Sequence, residues 1–317
     1  MMSAAASMGM VHQWDIDDGF SALDKFLYVD DVNIKAGGIL GIGVCNSGVY
    51  VNISLSLSLS PFTRTYPYIY IYTHQLTHRY NTDIDAAIGV LPEHLERDSA
   101  YKRDENTLLN CSAILALGLS YAGSARDDVM ELLIDFASED VEDDASEQEN
   151  DPRVHIAALA LGMIFVGTGE DECAQPMIER LLQCSEDELS KPENRLYALG
   201  LSLIYLGCEE GADVAQDILS TLPHKTFRDF ALLTLKACAY TGSGNVLKVQ
   251  EMLHACAEHI QEQDKSYHQA AAVLGIAMIT MGEEVGGNMA MRTSLSLSLS
   301  SAHFPRNTFH IKQLTHT

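Results

Sequence analysis

The chain has 317 residues, 47% apolar and 20% charged, a balance that excludes wholesale disorder and suits one large folded domain or two small ones. Forty-four Asp and Glu against 20 Lys and Arg leave a net charge of −24, which repels phosphate backbones and anionic lipid and favours basic partners, or simply reflects a solvated acidic surface. No uninterrupted apolar run reaches the roughly 18 residues of a membrane span, and the opening MMSAAASMGMVHQWDIDD has no basic leader, so the expectation is an intracellular protein with neither membrane nor nucleic acid as partner.

In chain order, the first apolar block is AAASMGMVHQW, ending at Trp14, followed by KAGGILGIGVCNSG at 35–48. The segment at 52–80 then breaks the pattern with SLSLSLS and YIYIY, and 293–317 repeats SLSLSLS; both finish near QLTH. Dinucleotide tracts translate in this way, because TCTCTC reads Ser-Leu and TATATA reads Tyr-Ile. The two segments are therefore expected to be translated noncoding repeats, such as retained intron sequence. Period-2 strands are the alternative.

Between and around them a repeat emerges. NCSAILALGLSYAG (110–123), HIAALALGMIFVG (155–167), RLYALGLSLIYLG (195–207), FALLTLKACAYTG (230–242) and QAAAVLGIAMITMG (269–282) are all apolar, rich in small residues and end in glycine. The anchors Gly48, Gly123, Gly167, Gly207, Gly242 and Gly282 are spaced by 75, 44, 40, 35 and 40 residues, and the first spacing shortens to about 46 without 52–80. Trp14 occupies the equivalent place in the first block. After the anchors come amphipathic stretches at 126–138, 172–184, 211–222 and 245–259, with apolar residues three and four apart.

Each unit thus reads as helix, glycine stop, helix. The glycine suits the left-handed residue that commonly follows a helix. Gly118, Gly162, Ser202, Ala237 and Ala277, each five residues before its anchor, would let helices approach closely. A single unit cannot bury such a face, whereas stacked units can, so the predicted fold is all-α: a solenoid of two layers, apolar helices inside and acidic amphipathic ones outside. The run 139–151 and residues 260–267 read as solvated polar connectors, and Trp14 as core. The domain organisation expected is 1–51 first repeats, 52–80 low-complexity insert, 81–292 further repeats and 293–317 low-complexity tail.

The seven cysteines are scattered without a CxxC and suit reduced, packed thiols. GGILGIG at 37–43 and GSGNVLK at 242–248 lack the context of a phosphate loop. The histidines of HACAEH are five apart and diverge on a helix, so no metal and no cofactor is expected. A thiol hydrolase using Cys256 with His254 or His259 is the alternative from another class.

The blocks AAASMGM, IKAGGILGIGVCNSGV, SAILALGLSYAGS, CAYTGSGNVLKVQEMLH and AVLGIAMITMGEEVGGNMAMR resemble proteasome/cyclosome repeats. The resemblance implies a noncatalytic helical toroid fragment, a scaffold in the base of the proteasome regulatory particle, in cytoplasm and nucleus, touching the ATPase ring and other regulatory-particle subunits. The related cyclosome scaffold is the alternative within this class. It further implies docking of ubiquitin, of ubiquitin-like domains of shuttle receptors and of a deubiquitinase. One such surface uses acidic residues seven and then four apart on an outer helix, which here gives Glu172, Glu179 and Gln183. Offsets of 7 and 11 amount to roughly 700° and 1100° of helix rotation, so the three share a face, provided the helix starts near Glu172 and leaves Pro176 close to its first turn. The second surface follows the tryptophan of the first block and gives Ile16, Asp17, Asp18 and Ser21, with Asp17 and Asp18 competing for one role.

Overall fold

A computed structural model describes residues 1–47, 85–96, 101–138, 151–257 and 266–281. The two low-complexity segments, Gly48, Gly282 and His259 lie outside the described residues, as do the acidic run up to Asn150 and residues 260–265 of the second connector.

Every regular element among the described residues is helical. One set comprises α1 (Met2–Val11), α3 (Val32–Cys45), α5 (Arg103–Ser120), α7 (Pro152–Ile164), α10 (Asn194–Ile204), α12 (Lys225–Ala239) and α14 (Ser266–Ile279). Each of these packs on the next in that order, forming an inner layer. The other set comprises α2 (Ile16–Leu27), the short α4 (Ala86–Val90), α6 (Asp127–Ser138), α8 (Asp171–Gln183), α11 (Asp213–Leu219) and α13 (Val246–Ala257). Here α2 lies on α3, α6 on α7 and α13 on α14, while α6, α8 and α11 touch in sequence along the outside. A four-residue α9 (Glu186–Leu189) links α8 to α10. This is the two-layer α-solenoid expected from the repeat.

The inner helices are enclosed because they are apolar on all sides: in α7, Val154, Ala157, Ala158, Ala160, Leu161, Gly162 and Ile164 are all buried. Close approach depends on the small residues. A Cβ on Gly162 would lie 2.2 Å from the carbonyl oxygen of Gly200, one on Gly118 would lie 2.7 Å from the Ala160 Cβ, and one on Gly43 would lie 2.4 Å from the Ala116 Cα. Ala277 is exposed instead, since no described helix covers that side of α14.

The anchors do more than stop helices. Gly123, Gly167, Gly207 and Gly242 have φ of 73°, 72°, 75° and 73°. Each donates its backbone N–H to a carbonyl at the end of the following inner helix: Met163 at 2.8 Å, Leu203 at 3.0 Å, Cys238 at 3.0 Å and Met278 at 2.8 Å. Two residues on, Ala125, Gly169 and Gly244 are again left-handed and donate to Ile164, Ile204 and Ile279 at 3.1, 2.9 and 2.9 Å. These paired bonds stitch successive repeats and give helix-terminal carbonyls the partners that they lack within the helix.

Trp14 follows the same rule, with φ of 72° and its N–H bonded to the Cys45 carbonyl at 3.1 Å. It corrects one expectation: the indole is not core but 43% exposed, with Nε1 donating to the Ser47 carbonyl at 3.1 Å. A left-handed turn at the end of the inner layer directs the ring outward. Two connector ends are also structured. Asp151 caps α7 by accepting from the Arg153 N–H at 2.9 Å, and Tyr267 belongs to the first turn of α14. The stretch 211–222 is not one helix, because a 3-10 turn at Glu209–Ala212, entered through left-handed Glu209, leaves only seven residues for α11.

Candidate functional site

Helix α8 carries the first predicted surface. Its inner face is Cys173, Ala174, Met177, Ile178 and Leu181, all buried, which seats it on the stack. Glu172, Glu179 and Gln183 are all exposed, as the spacing requires. Two further residues share their edge. Gln175 is exposed and donates through Nε2 to Glu179 Oε1 at 2.8 Å, and Leu182 is 47% exposed. Sequence reasoning missed both, although Gln175 stands three residues after Glu172 and four before Glu179, so the same periodicity points to it. The result is a helix edge with two carboxylates, Glu172 and Glu179, the second of them held by the Gln175 amide, and an aliphatic side chain at one end.

The helix starts at Asp171, so Pro176 sits in its second turn rather than its first. Proline has no N–H for the Glu172 carbonyl four residues back, which leaves that carbonyl outside the helical ladder on the candidate edge. The helix tolerates the loss because its far side is held from the inner layer. The buried Tyr197 hydroxyl of α10 lies 2.8 Å from the Ala137 carbonyl of α6 and 3.2 Å from the Met177 carbonyl of α8. After α8 the chain turns through a capping box in which Ser185 N–H meets Glu188 Oε2 at 2.6 Å, holding the Glu188 carboxyl below its usual pKa. Asn194 Nδ2 then donates to the Glu188 carbonyl at 2.7 Å, fixing the entry to α10.

The second predicted surface lies in the first turns of α2, where Ile16, Asp17, Asp18 and Ser21 fall; Asp18 and Ser21 are exposed. The inner helices α3, α5 and α7 separate this end of the stack from α8 in chain order, so the two surfaces are distinct.

The thiols are poor nucleophile candidates. Burial pushes Cys111, Cys173 and Cys238 up to about 12 and Cys45, near Asp15, up to about 11. Cys256 is raised by burial too, the opposite of what an activated thiolate needs. Its would-be partner His254 is exposed on α13. No described helix is long and apolar enough to cross a membrane.

Stacked helix pairs stitched at left-handed glycines define an α-solenoid, and the proteasome/cyclosome repeat model matches residues 112–143 of it. Over 92% of its length the chain is homologous to the 26S proteasome non-ATPase regulatory subunit 2 of Dictyostelium discoideum, at 35% identity. Similarity is comparable to the 26S proteasome regulatory subunit rpn-1 of Neurospora crassa, 34% over 92% of the chain, and to the non-ATPase regulatory subunit 2 homolog A of Arabidopsis thaliana, 35% over 92%. The chain spans about a quarter of the length of these relatives, 27%, 28% and 27% respectively.

Proposed function

We propose that the chain serves as a noncatalytic scaffold in the base of the proteasome regulatory particle, in cytoplasm and nucleus. In this reading it touches the ATPase ring and neighbouring subunits and docks ubiquitin and ubiquitin-like domains of shuttle receptors, for ubiquitin-dependent degradation, on the outer edge of α8. The first turns of α2, with Ile16, Asp17, Asp18 and Ser21, form a second docking surface in this reading, and a deubiquitinase is a further partner. The observation that carries the reading is the shared exposure of Glu172, Gln175, Glu179, Leu182 and Gln183 on one edge of a helix whose other side is wholly packed. Homology to subunits named as proteasomal favours this setting over the cyclosome. The raised Cys256 thiol weighs against a hydrolase.

The mechanism is binding. Carboxylates attract a partner whose apolar patch is rimmed by Lys and Arg, speeding encounter, and burial of Leu182 against that patch then slows release. Gln183 contributes a hydrogen bond but no charge, so the steering rests on Glu172 and Glu179. Calorimetric titration with a ubiquitin-like domain tests the reading. Saturable binding that weakens with salt and is lost in the double variant Glu172→Arg, Glu179→Arg supports it; undiminished binding by that variant rejects it.

A further inference from the structure

Trp14 stands where the later repeats use glycine. Gly123, Gly167, Gly207 and Gly242 adopt φ of 73°, 72°, 75° and 73° without steric cost, whereas Trp14 holds φ of 72° with a Cβ that resists it. The chain accepts this strain at its one tryptophan and leaves much of the ring in solvent. The backbone bond of an anchor has no need of the indole, since glycine makes the same bond elsewhere. Strained positions of this kind cluster at binding sites.

The ring is also held in place. Trp14 donates its backbone N–H to the Cys45 carbonyl and its Nε1–H to the Ser47 carbonyl, each at 3.1 Å. The Cys45 thiol donates to the His12 carbonyl at 3.1 Å, and the Asp15 N–H donates to the same carbonyl at 3.0 Å, closing the turn that carries the indole. Helix α2 is locked onto this turn, because a Cβ on Gly19 would lie 2.5 Å from Cys45 Sγ and 2.9 Å from the His12 Cβ. The indole thus keeps a fixed relation to Asp15 and Asp18, which are both exposed and stand three residues apart on one face. Met10 and Val11, at the end of α1, add exposed apolar surface just before the turn.

We propose that Trp14 is the apolar anchor of the surface at the start of α2, seated in a shallow apolar depression of a folded partner domain whose margin carries Lys and Arg. Asp15 and Asp18 pair with cations of that margin while the indole is buried at its centre. A projecting ring fixed at its base matches a depression in a folded domain, which an extended peptide does not offer. The two carboxylates, in a chain of net charge −24, select a basic margin. A ring already held by two hydrogen bonds loses little freedom on binding, which is what lets a tryptophan dominate an interface. The proposal rests on the reading of α2 as a second docking surface and adds to it the residue that grips.

Because the chain has a single tryptophan, incorporated fluorotryptophan labels Trp14 alone. The labelled full chain carrying Glu172→Arg and Glu179→Arg, which silence the α8 edge, is titrated with a ubiquitin-like domain beyond the concentrations of the calorimetric test and followed by fluorine NMR. The expected result is a saturable shift of the Trp14 resonance that weakens with salt. Affinity, read in parallel from the amide shifts of the isotope-labelled domain, is expected to fall about tenfold or more in Trp14→Gly and in Asp18→Arg, and several-fold in Trp14→Phe. Trp14→Gly is expected to keep native helicity by circular dichroism, since glycine is the residue that later repeats place there. Binding that is lost in Asp18→Arg but stays at full strength in Trp14→Gly and Trp14→Phe overturns the inference and leaves the second surface standing. A Trp14 resonance that does not move while the domain's amides titrate overturns it too, and absence of any binding overturns both the inference and the second surface.

Discussion

Gly162 of α7 and Gly200 of α10 meet so closely that a Cβ on Gly162 would sit 2.2 Å from the Gly200 carbonyl oxygen, and a Cβ on Gly200 would sit 2.2 Å from the Ala158 carbonyl oxygen. Both obstacles are backbone, so no rotamer change relieves them and the helices must move apart. Gly162→Ala and Gly200→Ala are each expected to lower unfolding free energy by about 1–3 kcal/mol, the usual range for overpacking. Gly89, which has nothing within 4 Å of a Cβ, is the control. Gly89→Ala is expected to be neutral or slightly stabilising, by up to about 1 kcal/mol. Urea denaturation of the three variants checks the contrast.

The stitches make an opposite pair of predictions. Gly123 has φ of 73°, and Gly123→Ala is expected to cost about 1–2 kcal/mol because an L side chain resists that conformation. Ala125, two residues on, already bears the strain at φ of 50°, so Ala125→Gly is expected to stabilise the chain by up to about 1 kcal/mol. Thermal melts of both variants give the sign directly.

Tyr197 joins the site helix to the stack through its hydroxyl, within reach of the Ala137 and Met177 carbonyls. Tyr197→Phe keeps the ring and removes that link. The expected loss is about 1 kcal/mol, with amide hydrogen exchange accelerating in α8 and α6 more than in α3.

Burial lowers the pKa of His94, with Lys35 adding to the effect, and of His155, with Arg180 adding. Both imidazoles are therefore neutral in the folded chain, while the unfolded chain protonates them near the ordinary value of about 6.5. Between the two values the unfolded state binds more protons, so stability is constant above the ordinary value, falls as pH drops from there towards the folded values, and levels off below them. Asp128, held low by Arg126, and Glu188, held low by Ser185, lose their contributions only at more acid pH, below the ordinary carboxylate range. Urea midpoints measured from pH 7.5 to 5 are expected to decline, and the decline is expected to shrink in His94→Asn, His155→Asn.

Much of this architecture was legible because it is periodic. The anchors Gly123, Gly167, Gly207 and Gly242 recur, and the small residue five before each follows from the same count. What the anchors bond to was not legible, because Met163, Leu203, Cys238 and Met278 lie 31 to 40 residues further on and only packing brings them there. Trp14 was placed correctly as an anchor and wrongly as core, since large aromatics default to the interior and the left-handed turn that expels this one is a tertiary effect. On α8 the charged positions came from the family resemblance, and their spacing showed only that they share a face, whereas exposed Leu182 runs against the apolar pattern that defines the buried face.

The central claim, that the outer edge of α8 is a docking surface for ubiquitin-like domains, is tested most directly by site-specific photocrosslinking. A benzoyl-phenylalanine placed at Gln183, and separately at Asp217 on α11, is irradiated with a ubiquitin-like domain present. The account predicts an adduct from Gln183 on α8, abolished by Glu172→Arg with Glu179→Arg, and none from Asp217. An adduct from Asp217 with none from Gln183, or one from Gln183 that survives the double charge reversal, would contradict it.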